Sequence, residues 1–364
     1  MKIAELDTPA LLIDLDIMER NLHRAADYAT AHGFRLRPHT KTHKTPALAR
    51  RQLELGAAGI TVAKVGEAEV MVAAGPEDLL VAYPIIGARK LERLMAVARK
   101  VQLTVALDSL FAASLLSDAA YRAGVTVGVL AEVDVGLSRV GVTPGSELVK
   151  LIQGIERLPA LRFDGVAFYP GHIKKLDDEG MRALNQLSET VGSMLQMLRV
   201  AGIEPRIVSG GSTPTLFYSH CVEGLNEIRP GTYIFNDKST LNLGACSIED
   251  CAASVLVTVV STARPGQVII DGGSKTFSSD GLAGSHEVSF GYVIEDPDAV
   301  FVRMNEEHGY IDVRSARRRC SIGDRMRIVP NHICVTVNLH EKIYGIRGDR
   351  VEQVWEVQAR GKLQ

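Results

Sequence analysis

No stretch of this chain approaches the roughly 18 consecutive apolar residues that a membrane-crossing helix requires, so a helical membrane protein is excluded. No block of like charge is present either, since 41 Lys and Arg stand against 43 Asp and Glu for a formal net charge of −2. That balance supplies no basic footprint for nucleic acid and no attraction to an anionic membrane surface. Small, near-neutral substrates suit it better. Residues 1–7 carry the acidic Glu5 where a secretory signal would have its apolar core, so a cytoplasmic location is expected. Cysteine is scarce: Cys221, Cys246, Cys251, Cys320 and Cys334 form an odd, scattered set. Such a set excludes a disulfide framework and predicts reduced thiols. Repeats, low-complexity tracts and long linkers are also missing. With 46% hydrophobic and 23% charged residues, the 364-residue chain reads as one or two closely packed globular domains.

What the sequence does contain is an alternation of short apolar runs with helical periodicity. A strand is predicted over 10–14 and a helix over 15–30, followed by strands at 34–37, 59–62, 79–82, 102–107, 125–133, 161–169, 204–209 and 226–229. Helices are predicted between them at 46–55, 66–74, 91–100, 110–123, 146–155 and 179–201. About eight such cycles predict an α/β fold with a (β/α)8 TIM-like barrel over 15–240. Beyond it, β-branched runs at 253–263, 267–271, 310–314, 326–329, 334–339 and 342–346, broken by Pro and Gly, predict a mostly-β domain over 241–364.

Polar residues follow the predicted barrel strands, where the active sites of such barrels lie. Lys41, in Arg37-Pro38-His39-Thr40-Lys41-Thr42-His43-Lys44, sits among cationic groups that lower the proton affinity of an amine. It is a candidate covalent anchor for an aldehyde such as that of pyridoxal phosphate, and equally a basic surface loop. Ser209-Gly210-Gly211-Ser212-Thr213 and Arg229-Pro230-Gly231-Thr232 offer backbone amides and hydroxyls for a phosphate, or are plain turns. Arg139 could hold a cofactor ring or pair with Glu132 and Asp134. His332 and Cys334, at alternate positions of a predicted strand start, would share one face and could clasp a metal. Two ligands leave open positions, as a catalytic metal requires. The alternative is a turn histidine with a buried thiol. Asn305-Glu306-Glu307-His308-Gly309 and Asp271-Gly272-Gly273-Ser274-Lys275-Thr276 either line a site or form solvated turns.

Taken in order, these segments, together with Asp7-Thr8-Pro9, Glu132 to Gly141 and Pro330 to Cys334, resemble the metal-dependent, fold-type III pyridoxal phosphate family of D-threonine aldolase and D-serine dehydratase. The resemblance implies an alanine racemase-like architecture in which residues 1–14 join the C-terminal β domain, which carries the metal ligands, and a homodimer. It implies pyridoxal 5'-phosphate attached to Lys41 and its phosphate bound by Gly211, Ser212, Thr213, Gly231 and Thr232. Arg139 or Arg229 would contact the ring, with His39, Tyr169 and His172 nearby. His332 and Cys334 would hold a divalent Mn, Mg or Zn, and His43, His172 and His308 are candidates to move protons. The implied substrate is a D-β-hydroxy-α-amino acid, cleaved to glycine and an aldehyde. The alternatives are dehydration to a keto acid and ammonia, amino acid racemisation, and a non-catalytic cofactor carrier. Aspartate is common among aldolases where Cys334 stands, and a thiolate favours zinc.

Overall fold

The computed structural model describes residues 1–285 and 288–364. Its contacts divide the chain into two compact units, one of Arg24–Lys41, Thr45–Gly231 and Gly361–Gln364, the other of Met1–His23, Thr42–Lys44 and Thr232–Arg360. Among the described residues no helix is long and apolar enough to cross a membrane.

The elements run β1 (Ala10–Asp14), α1 (Leu15–Ala31), β2 (Arg35–Leu36), α2 (Pro46–Glu54), β3 (Ile60–Val62), α3 (Val65–Met71), β4 (Asp78–Val81), α4 (Ala88–Ala98), β5 (Gln102–Leu107), α5 (Leu110–Ala123), β6 (Val127–Val133), α6 (Ser146–Glu156), β7 (Leu161–Phe168), α7 (Asp178–Val200), β8 (Ile207–Gly210) and β9 (Glu227–Ile228). Local chemistry explains the boundaries. Pro46 opens α2, the Ser109 hydroxyl accepts from Ala112 N to cap α5, and Gly124 at φ +65° ends it.

Strands β2 to β9 pair in parallel in the order β2-β9-β8-β7-β6-β5-β4-β3. A bridge between His39 and Thr61 joins the two ends, with Thr40 N donating to Thr61 O at 2.9 Å and Thr61 N to Pro38 O at 2.9 Å. The ring is thereby closed, and the barrel expected from the alternation is present. Leu80, Ala106, Leu130, Ala167 and Ile207, one from each of five successive strands, pack as a single apolar layer. Strand side chains alternate, so Glu132 and Ser209, two positions beyond Leu130 and Ile207, share the face of that layer. A polar cluster holds the ring together as well: Arg37, 1% exposed, makes two hydrogen bonds to Asp78 at 2.7 and 2.9 Å, and its Nε lies 2.9 Å from Glu227.

The second unit contains α8 (Lys238–Asn242), β10 (Ala253–Arg264), β11 (Gln267–Ile270), α9 (Ser274–Phe277), β12 (Gly291–Val293), β13 (Val300–Met304), β14 (Gly309–Asp312), β15 (Arg325–Pro330), α10 (Ile333–Leu339), β16 (Lys342–Arg347) and β17 (Arg350–Glu356). Its sheet runs β11-β14-β13-β12-β15-β10-β1-β16-β17, and the long β10 also pairs with β11, closing six strands into a second ring. β1 lies antiparallel to β10 and parallel to β16, and its Ala10 and Leu12 pack with Leu6, Leu256 and Ile346.

One expectation needs correction. The run 334–339, read from its β-branched residues as a strand, is helix α10. Its buried positions are Ile333, Thr336 and Val337, a helical spacing, and Thr336 Oγ1 bonds to His332 O at 3.1 Å and Phe277 O at 3.2 Å. Burial of that one stripe outweighs β-propensity, a weak local preference.

Candidate active site

In the barrel unit, the turn after β2 presents Lys41. His39 is fixed between neighbouring strands, its N–H donating to Pro230 O at 2.9 Å, and its Nδ1 accepts the Lys41 N–H at 3.4 Å. The Lys41 side chain is exposed. Arg37, by contrast, is buried and neutralised by Asp78 and Glu227, so it is a structural cation. The backbone carrying the amine is therefore rigid while the amine itself remains accessible.

The loop after β6 is shaped by Asp134, whose Oδ1 accepts from Gly136 N and Ser138 N, each at 3.0 Å. The bonds from Ser138 and Gly136 hold its carboxyl below the usual range. This loop delivers Arg139, exposed, with its guanidinium 5.0 Å from the centre of the Tyr169 ring. His172, also exposed, packs against Gly136, where an added Cβ would come within 3.3 Å of the imidazole. Arg139, Tyr169 and His172 are thus gathered by two adjacent strand ends.

Arg229 takes a different position from Arg139. It is 8% exposed, donates to Ser209 Oγ and to Phe168 O (3.0 Å), and faces Glu132 and Glu227. Burial lowers its proton affinity against those carboxylates, and burial likewise raises Glu132 against Arg229 and Arg139. The Gly210-Gly211 turn is also more committed than its sequence suggests. Ser212 N donates to Thr215 Oγ1 at 3.1 Å and Thr215 N to Ser212 Oγ at 3.4 Å, so the Ser212 amide is not bare. Gly211, at φ +85°, makes the bend, and a Cβ on Gly210 would lie 2.5 Å from the Phe168 ring.

In the β unit, His332 and Cys334 come together at the start of α10, with His332 as the N-cap residue, rather than by strand alternation. A residue missed in the sequence explains the pose of the imidazole. Asp237 is fully buried, and its Oδ2 accepts from Ile333 N at 3.1 Å and bonds to His332 Nδ1 at 3.2 Å. Its other oxygen accepts from Thr240 N at 2.8 Å as the cap of α8. Burial opposes the charged ring, but the hydrogen bonds to Asp237 and Cys334 outweigh it and push His332 up to about 11. Cys334 Sγ lies 3.2 Å from Thr42 Oγ1 and 3.8 Å from Thr232 Oγ1. Those two hydroxyls directly follow Lys41 and Gly231 in the chain. The Asp-x-x-Thr of residues 237–240 is readable as a helix cap, but nothing local points from it to His332.

Two further histidines are candidates. His43 is fully buried, and His308 is exposed in the β13–β14 turn, whose Asn305 and Glu306 carbonyls accept from Ser274 and Lys275. Among the described residues no group of three His, Cys, Asp or Glu is placed to hold a metal ion.

Residues 13–239 match the family model for the alanine racemase N-terminal domain, and 252–346 match a serine dehydratase domain. D-Threonine aldolase of Arthrobacter sp. is 34% identical over 99% of this chain and 94% of its own length. The chain belongs to the fold-type III pyridoxal phosphate family of D-threonine aldolase and D-serine dehydratase. Within that family, the solved D-threonine aldolase from Filomicrobium marinum superposes with a TM-score of 0.94 at 33% identity, covering 100% of this chain and 98% of the other. D-Threo-3-hydroxyaspartate dehydratase of Delftia sp. (strain HT23) is 35% identical over 96% of this chain and 97% of its own length. Solved mutants of D-threo-3-hydroxyaspartate dehydratase include a histidine-to-alanine form (TM-score 0.87, 33% identity, 98% of this chain and 96% of that one) and a metal-free cysteine-to-alanine form (0.86, 32%, 98% and 98%). The two mutated residues are two positions apart, as are His332 and Cys334.

Membership implies pyridoxal 5'-phosphate, and the barrel unit fits it: an exposed amine at one strand end, a glycine bend that excludes a Cβ, and an arginine over an aromatic ring at the ends of β6 and β7. The β unit fits a divalent cation. An imidazole with Nδ1 bound to a buried carboxylate presents Nε2, the arrangement that orients metal-ligating histidines, and a partly exposed thiol stands beside it.

Proposed function

We propose that this protein is a pyridoxal phosphate- and divalent metal-dependent lyase that cleaves D-β-hydroxy-α-amino acids to glycine and an aldehyde. The observation that carries the reading is the His332–Asp237 pair beside Cys334, in a chain whose barrel presents an accessible Lys41. Bound pyridoxal phosphate supplies the electron sink for a bond broken at Cα. Lys41 would attach it, and Arg139 and Tyr169 would contact its ring. Asp237 fixes the His332 ring, and His332 and Cys334 would hold the cation. A cation held there would require the imidazole without the proton that Asp237 and Cys334 favour on it. His172, exposed at the barrel mouth, is assigned the movement of the substrate hydroxyl proton; His43 is too deeply buried for it.

A second reading, dehydration to a keto acid and ammonia, is supported by the histidine and cysteine two positions apart in a dehydratase relative. Incubation with D-threonine and its erythro isomer decides between them. Glycine plus acetaldehyde is the expected outcome, whereas 2-oxobutanoate establishes the dehydratase. Full activity after chelation of the metal overturns both and favours racemisation.

A further inference from the structure

Two thiols of the β unit converge beside the carboxylate that holds His332. Cys246, half-buried, follows α8, and Cys251, 6% exposed, precedes β10. Five residues apart in the chain, they flank the short turn of Ile248–Asp250. Both also reach the cap of α8: Cys246 Sγ lies 3.5 Å from Thr240 Oγ1, and Cys251 Sγ lies 3.8 Å from Asp237 O. Thr240 Oγ1 is itself 2.8 Å from that Asp237 oxygen, which confines the two sulfurs to one small volume. The proposed lyase reaction uses neither thiol.

We propose that Cys246 and Cys251 form a reversible disulfide, and that its formation weakens metal binding at His332 by disturbing Asp237. The second half rests on the reading of His332 as a metal ligand; the first does not. The hydrogen bond from Cys251 holds the Cys246 thiol below its usual range, and the same contact, with burial, pushes Cys251 up. Cys246, the more exposed of the two, is the nucleophile and Cys251, 6% exposed, the resolving thiol. With hydrogen peroxide as oxidant, the Cys246 sulfur attacks one oxygen, the O–O bond breaks, and a sulfenic acid and one water result. The Cys251 sulfur then attacks Cys246, the S–S bond forms, the S–O bond breaks and a second water leaves. Two thiols lose two electrons and peroxide gains them.

Closing the bond fixes the two sulfurs about 2.05 Å apart. That movement draws Cys246 from Thr240 and Cys251 from the Asp237 carbonyl, the two residues whose mutual bonds set the Asp237 carboxylate. Disturbing a group that orients a metal-ligating histidine costs about 10- to 100-fold in affinity.

The test uses the full chain reconstituted with pyridoxal 5'-phosphate and zinc, treated with peroxide and then quenched. Titratable thiols should fall from five to three, peptide mapping should find Cys246 linked to Cys251, dithiothreitol should restore five, and zinc affinity measured against a chromophoric chelator should drop about tenfold in the oxidised form. In Cys246→Ser, and in Cys251→Ser should the first fold poorly, the linked peptide is lost and zinc affinity no longer responds to the same treatment. Five remaining thiols, or a link between other cysteines, overturns the proposal. A correct disulfide with unchanged zinc affinity overturns the relay through Asp237. If the reduced chain binds no zinc at all, the metal reading fails while the mapped disulfide stands.

Discussion

The barrel mouth and the start of α10 position their candidate groups in opposite ways. Lys41 is delivered by backbone: strand pairing on either side of His39 fixes the turn and leaves the amine exposed. His332 is delivered by a side chain, because the buried Asp237 fixes the ring from behind. The first kind of site depends on the integrity of a whole sheet, whereas the second depends on one carboxylate. Substitutions should therefore separate the two.

The largest effect is expected at Lys41. Lys41→Ala should lower turnover by at least about 10³-fold and abolish the visible absorbance band that borohydride removes, while zinc affinity stays unchanged. Retained turnover would sink the anchor role. Next is the sheet itself. Leu130→Ala empties part of the barrel layer and should destabilise the chain by about 2–5 kcal/mol in denaturant unfolding, with the affinity for zinc preserved in the folded protein. Asp237→Asn makes the converse change: zinc affinity should fall about 10- to 100-fold while the cofactor band persists. If band and affinity fall together in both Lys41→Ala and Asp237→Asn, the two regions are not independent and the contrast fails.

The smallest effect concerns Asp164, 2% exposed, which Arg162 and Arg206 approach at 2.7 and 3.0 Å. Burial raises its pKa, but the two guanidinium groups more than offset this, so its folded pKa lies below the unfolded value of about 3.9. The stability it contributes is present above that value and is lost as pH falls through the folded pKa. Asp164→Asn should cost about 1 kcal/mol at neutral pH and nothing at the acid end, checked by urea titrations at a series of pH values.

Much of this was legible without coordinates. The predicted strand at 102–107 and helix at 110–123 coincide with β5 and α5, because apolar periodicity, the Ser109 cap and Gly124 are all local signals. The sequence and the structure agree that Lys41 follows the first barrel strand, because a strand end is a place in the sequence as well as in the fold. Arg229 was harder. Its sequence neighbours, Pro230 and Gly231, suggest an open loop, and only the closed ring turns it towards Ser209 and Phe168. The bare amide expected at Ser212 was taken by Thr215, a hydroxyl three residues on whose rotamer no pattern reveals. α10 was misread because Ile, Val and Thr favour strands in isolation, while the stripe that they bury in this unit is helical.

The order of the chain alone determined the strand-helix alternation, the change to short β-branched runs and the placing of an amine after the first barrel strand, since each arises between residues close in sequence. Tertiary structure alone decided that Asp237 stands behind His332, 95 residues away, and that Thr42 meets Cys334 across 292 residues. Such bonds depend on where a folded chain returns to itself, and hydrophobic burial, which directs that return, is a property of the whole surface removed from water rather than of any segment.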